Sequence, residues 1–389
     1  MTLTVTPVET RRALRRFIDL PPVLYRWFPD YEPPMRMDRT MLLDPRKGAF
    51  FRHGTVQYWL AWRDGVPVGR ISAQMSPDRP VGVPEDTGMF GCLDTIDDPE
   101  VVAALIAAAE AWLAARGCRH AFGPFLLNMS GEPGLLIDGF DRPPMTMTPW
   151  HPPYLRAHLE TLGYAKWRDL HCWTLDLRTV DGAALGRSLR LDRRRTDITS
   201  RAITRRTLRA DLPLLRDLYN DGWRDNWGHV PLTLRDMQGL RLLAPYLPRQ
   251  AGRVFELGGK PVAVLLAIPN MFELTRGLGP KPSLLGWLRL GWRALRFRPR
   301  SARIVMLGIA EQLRFSAAGA AIMLAMMDEL LAEQRTLDLD AIDGGWVLEN
   351  NVALTRFLDR YNFTTTRIFR IFGKQLGGAQ ERPDDNRQP

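Results

Sequence analysis

The sequence predicts an α/β protein in which one structural unit is written twice. Two observations carry this. Residues 58–73 alternate apolar and polar side chains about Asp64-Gly65, and residues 253–267 do the same about Gly258-Gly259, with Pro261-Val262 standing where Pro67-Val68 stand. Both stretches read as β-hairpins. The elements around them also recur in one order: a strand and a helix before each hairpin, then a strand, a long helix, a strand and a short helix after it. A repeat on this scale is a duplicated domain rather than a short-period solenoid.

In chain order, residues 3–6 predict a strand and 9–18 a helix; their counterparts are 202–208 and 211–220. After the first hairpin come a strand at 87–93 and a helix at 99–116. Asp98 suits the cap of that helix, Pro99 its first turn and Gly117 a left-handed exit. After the second hairpin come a strand at 303–309 and a helix at 317–334, whose Ile322, Met323, Met326, Met327, Leu330 and Leu331 share one face. That methionine-rich stripe reads as core. Residues 151–164 and 350–363 close the two copies. The expected organisation is a first domain over 1–185, a basic linker over 186–201, a second domain over 202–376 and a disordered tail over 377–389.

The chain has 389 residues, a net charge of +10 and three cysteines, Cys92, Cys118 and Cys172. An odd number of cysteines without metal-ligand spacing predicts free thiols, no metal and a cytoplasmic setting. No apolar run approaches the roughly 20 residues needed to span a bilayer. The basic charge implies an anionic partner, which can be an acidic membrane, a phosphorylated co-substrate or nucleic acid, or else reflects a solvated arginine-rich face. Nucleic acid is disfavoured because residues 187–209, the densest in arginine, contain no aromatic side chain. Residues 284–300 interleave Trp287, Trp292, Leu295 and Phe297 with arginines, the composition of a helix lying on an anionic membrane, peripherally at the inner membrane, or of an insertion packed over an acyl groove.

The element order resembles the GNAT acyltransferase fold, and its duplication resembles a tandem GNAT protein. The resemblance implies a mixed sheet with helices on both faces. It also implies acyl-CoA as co-substrate, with its phosphates on backbone amides between the fourth strand and the long helix. Arg314, Ser316 and Gly319 fall there in the second copy, after the strand residues Leu307, Gly308 and Ile309, whose backbone donors would polarise a thioester. Phe315 and Ala317 stand where glycine is usual. In the first copy Asp94, Asp97, Asp98 and Glu100 occupy that junction and would repel a phosphate. The closing-helix pattern aligns Asn351 with the family's asparagine and puts Phe357 and Leu358 on its Leu-Tyr pair, so the tyrosine acid is missing.

Several blocks resemble a narrower group, the bacterial ceramide synthase-like tandem GNAT proteins: Gly123-Pro-Phe-Leu-Leu-Asn-Met-Ser130, residues 134–144, His151-Pro-Pro-Tyr154, residues 219–231 and Trp346-Val-Leu-Glu-Asn-Asn351. That group implies transfer of a long acyl chain, from acyl-CoA or acyl carrier protein, to the amine of sphinganine or 3-oxosphinganine. A nucleotide pyrophosphohydrolase label used for some members does not suit this chain, which lacks the glutamate-rich magnesium helix. Glu349, His151 and Tyr154 are the candidates for proton transfer, and Asn226, Trp227 and His229 for acceptor binding. The competing readings are an aminoacyl-tRNA-dependent tandem GNAT transferase and a non-catalytic lipid-binding protein.

Overall fold

The computed structural model describes residues 2–129, 131–179, 197–204, 206–235, 237, 252–314 and 316–377, without the side chains of 333–337. Most of the expected linker and the expected tail lie outside the described residues, as does Phe315. The chain divides into two compact units. One comprises 1–140, 148–170 and 369–389, and the other 141–147 and 171–368.

The first unit is a mixed sheet. Strands β1 (Leu3–Pro7), β2 (Thr55–Arg63), β3 (Val66–Met75) and β4 (Thr87–Thr95) pair antiparallel in sequence order, and β5 (His120–Phe125) runs parallel to β4. The short strand β6 spans Leu135–Asp138 and β7 spans Ala165–Asp176. The β2–β3 turn adopts the positive φ angles that Asp64-Gly65 favours, +50° and +80°. The Pro99–Ala114 helix starts on Asp98, whose carboxylate accepts from the amides of Glu100 and Val101, and Gly117 leaves it at φ +83°. Its buried Val102, Leu105, Ile106, Ala109 and Leu113 pack on Ile71, Ala73, Phe90 and Leu93 of the sheet.

In the second unit β8 (Ile198–Ile203), β9 (Gly252–Leu257) and β10 (Lys260–Pro269) are antiparallel neighbours, and β10 pairs antiparallel with β11 (Ser301–Ile309). β12 (Ala341–Leu348) runs parallel to β11. The Ala317–Leu337 helix places Ile322, Met326, Met327, Leu330 and Leu331 in the core, with Met323 packed at its edge.

Two expectations about boundaries give way. Residues 198–201 are not linker but the start of β8, because their backbone pairs antiparallel with β9, Ile198 opposite Leu257 and Arg201 opposite Val254. The last strand, β13 (Thr364–Gln375), does not close the second copy alone. Residues 372–375 pair antiparallel with β5, Phe372 opposite Gly123 and Gln375 opposite His120, so they complete the first unit's sheet. An alternating strand satisfies any free sheet edge that matches its register, and its own sequence does not say which.

Candidate functional site

In the second unit the parallel strands β11 and β12 pair only from Ser301/Ala341 to Arg303/Asp343, although both continue for several residues. Beyond that point they part. Asp343 marks the split: its carboxylate accepts from the Gly345 amide at 2.8 Å, and Gly345 takes φ +81°, which bends β12 away. Ala310 donates its amide to Val262 O, toward β10. By strand alternation the backbone groups of Leu307 and Ile309 then point the other way, toward the opening.

The opening is braced by the Leu208–Trp223 helix. Trp223 Nε1 donates to Leu307 O at 2.6 Å, and Gly308 and Gly222 allow helix and strand to meet. A Cβ on Gly308 would lie 2.7 Å from Leu218 O. Past the strand, Arg314 Nη2 reaches Asp225 at 3.2 Å and Asp221 O, while Ser316 Oγ accepts from the Gly319 amide at 3.0 Å and donates to Leu313 O. Gly319 is required by the turn itself, since its Cβ would fall 2.1 Å from Leu313 O. The junction thus offers a neutral hydroxyl cap, a glycine and a guanidinium at a helix start, a set that suits a phosphate.

Glu349 follows β12 in the turn at the parted end, half-buried. Asn351 acts within the fold: its Oδ1 accepts from the Leu354 amide and caps the Val352–Arg360 helix, so its side chain is spent there. Leu358 is core. Asn226, Trp227 and His229 form a tight turn after the Leu208–Trp223 helix, with the His229 amide donating to Asn226 O and Gly228 at φ +77°. Burial lowers the His229 pKa, and its ring lies against Tyr219, which stacks on Trp223. The chain Trp223–Tyr219–His229 links this turn to the opening. Sequence reasoning assigned no role to Trp223 or Tyr219, although their block was singled out; a helical spacing of four was the available signal.

His151 and Tyr154 belong to the first unit and Glu349 to the second. His151 Nδ1 accepts from the Leu136 amide at 3.2 Å, which assigns the ring proton to Nε2. Burial pushes its pKa down to about 4. The ring is therefore neutral and its Nδ1 lone pair is taken: it is placed as a donor, not as a base. Tyr154 donates its hydroxyl to Thr95 O at 2.5 Å, and burial raises its pKa. Its proton secures the end of β4.

At the first unit's junction the carboxylates are all engaged. Asp98 caps the helix and pairs with Arg63, Asp97 meets His158 at 2.7 Å, and Asp94 turns inward to Arg70 at 2.7 Å.

Residues 284–295 form a helix that buries none of its side chains. Arg293 ties it down by donating to Leu274 O and Arg276 O, while Leu284, Leu288, Trp292 and Leu295, at helical spacing on the other side, are exposed. Among the described residues no helix is long and apolar enough to cross a membrane.

No family model matches the sequence. It is 35% identical over 367 residues to Protein YghO of Escherichia coli (strain K12), covering 94% of each chain. It is 34% identical over 382 residues to the bacterial ceramide synthase of Caulobacter vibrioides, covering 96% of this chain and 98% of that one. Its fold matches a tandem GNAT protein from the clavulanic acid biosynthesis pathway (TM-score 0.55, 13% identity, 97% and 100% covered). It also matches a GCN5-related N-acetyltransferase from Sphaerobacter thermophilus (TM-score 0.51, 11% identity, 98% of each chain). The chain belongs to one family with YghO and the Caulobacter ceramide synthase across nearly their whole length, and its fold is the one these GNAT structures share.

Proposed function

We propose that this GNAT protein is a tandem N-acyltransferase that moves a long acyl chain from acyl-CoA, or acyl carrier protein, to the amine of a sphingoid base. The observation that carries the reading is the parting of β11 from β12 above the Arg314–Gly319 junction, together with the likeness to a bacterial ceramide synthase. In this reading Arg314, Ser316 and the amides at the start of the Ala317–Leu337 helix hold the donor's phosphates. The pantetheine lies along Leu307, Gly308 and Ile309, sharing Leu307 O with Trp223. The amine nitrogen attacks the thioester carbonyl, the C–S bond breaks, and the proton lost by nitrogen passes by way of Glu349 to solvent while the thiolate is protonated from water. The first unit's junction, closed by its own carboxylates, holds no donor.

The Leu284–Leu295 helix would rest on the inner face of an anionic membrane, where both chains of such a product reside. Its exposed Leu284, Leu288, Trp292 and Leu295 bury in the interface beside Arg289 and Arg296. Leu288→Asp should cut flotation with vesicles containing phosphatidylglycerol and leave turnover of detergent-dispersed substrate intact.

The direct test is incubation of the purified protein with palmitoyl-CoA and sphinganine or 3-oxosphinganine, following thiol release and amide mass. Thiol release that requires the amine supports transfer. Lipid binding without turnover returns the protein to a carrier role.

A further inference from the structure

At the last residue pair before β11 and β12 part, the second unit buries a row of charges that the acyl-transfer chemistry does not use. Arg303 on β11 lies opposite Asp343 on β12. Their sequence neighbours Ala302, Ile304 and Ile342 pack in the core with the Ala317–Leu337 helix, so by alternation Arg303 and Asp343 face the other side of the sheet. Trp173 belongs to that same core, which puts Cys172 of β7 on the side of Arg303. β7 is the strand next to β12, and β13, which carries Arg367, is next to β7. All four side chains are buried, Asp343 and Cys172 completely.

The charges in this row do not cancel. Arg303 Nη1 stands 3.2 Å from Asp343 Oδ1, and Arg367 Nη1 4.0 Å from Asp343 Oδ2; among the described residues Asp343 is the one carboxylate that pairs with either guanidinium. Two cations therefore share one anion. Cys172 does not supply a second, because burial, and next the Asp343 carboxylate, push its pKa up to about 12 and keep it a thiol. Arg142, which also acts on Arg367, is a further cation. A guanidinium does not give up its proton in a protein, and a net charge held out of water is costly unless a partner cancels it. The hydrogen bonds point the same way. Asp343 Oδ1 accepts from the Gly345 amide and Arg367 Nη2 donates to Pro143 O, whereas Arg303 Nη1, shielded from solvent, has no hydrogen-bond partner among the described residues. Arg303 thus has a buried donor to spare, which a folded protein rarely leaves unless water or a ligand completes it.

We propose that this row binds a small monovalent anion, such as chloride, held by the guanidiniums of Arg303 and Arg367. The excess of one positive charge sets the sign and valence of the ion, and the burial of all four side chains limits it to a few atoms. Bound there, it secures β11 and β12 at the point from which they diverge. The site stands or falls independently of acyl transfer.

The test is thermal unfolding of the full-length protein without acyl donor, with sodium gluconate exchanged stepwise for sodium chloride at constant ionic strength. The wild type should gain about 5 °C and then saturate. Arg367→Gln, which removes the excess charge and keeps a donor for Pro143 O, should lose that response. A buried variant can fail to fold, so wild-type crystals soaked in bromide give a second reading: an anomalous peak should lie within hydrogen-bond distance of Arg303 and Arg367. Absence of a chloride response in the wild type, absence of that peak, or an undiminished response in folded Arg367→Gln each disproves the site. Ultraviolet titration that finds Cys172 ionised at neutral pH overturns it as well, since a thiolate would balance the row without an ion.

Discussion

The two junctions between a central strand and a long helix are built from one pattern and finished with opposite chemistry. After β4, Asp98 gives its carboxylate to the helix amides and to Arg63, and Asp94 folds back into the sheet beside Arg70. After β11, Ser316 supplies a neutral cap and Arg314 a cation that leans on Asp225. A helix start attracts anions in either case. The first is capped by carboxylates from within the chain, whereas the second is capped by a neutral hydroxyl beside a guanidinium paired with Asp225 and Glu311. Two strand-to-helix junctions of similar build can therefore differ in chemistry through a few side chains at one turn.

The strongest way to break the comparison is Gly319→Val. With Leu313 O only 2.1 Å from the added Cβ, the turn must rebuild. A loss of about 3 kcal/mol in stability and of measurable acyl-CoA binding is expected, from denaturant unfolding and calorimetry. A comparable effect with a different signature belongs to His151 in the first unit. Its folded pKa of about 4 lies below the usual value near 6.5, so between those pH values the unfolded chain binds the extra proton. Stability is then complete above pH 6.5 and falls on acidification, by on the order of 3 kcal/mol by pH 4. His151→Gln should flatten that part of the stability–pH curve while retaining an acceptor for the Leu136 amide.

Arg314→Ala should raise KM for acyl-CoA about tenfold and leave the amine's KM unchanged. Its partner Asp225 is two-thirds exposed, so stability should move by less than about 1 kcal/mol. Asp98→Ala is the matching change in the first unit: it should cost about 1 kcal/mol as a lost cap and leave acyl-CoA affinity untouched. Should Asp98→Ala weaken the donor as Arg314→Ala does, the division of labour between the junctions is wrong.

Much of this was legible from residue order. Both hairpins lie where their turn dipeptides put them, with Gly258 and Gly259 at positive φ like Asp64 and Gly65. Asp98, Pro99 and Gly117 bound their helix as their preferences dictate. The methionine stripe of the second long helix went into the core, as did Leu358 where a tyrosine acid would have stood. Site roles were harder to read. Asn351 fits a family pattern but caps a helix, and His151 has a neutral ring whose lone pair is already given to Leu136. Both outcomes depend on a hydrogen-bond partner, and residue type alone does not name that partner.

By itself the sequence determined the two hairpins, their turns, the helix ends and which residue types stand at the two junctions, because these follow from backbone preference and charge within a few residues. Tertiary structure alone decided that β13 passes its last residues to β5, that β11 and β12 part after Arg303 and Asp343, and that Trp223 reaches Leu307. It also set Arg70 opposite Asp94 and the ring of Tyr25 against Trp150. Each of these joins residues far apart in the chain, and whether such groups meet depends on strand register and packing, which no local pattern encodes.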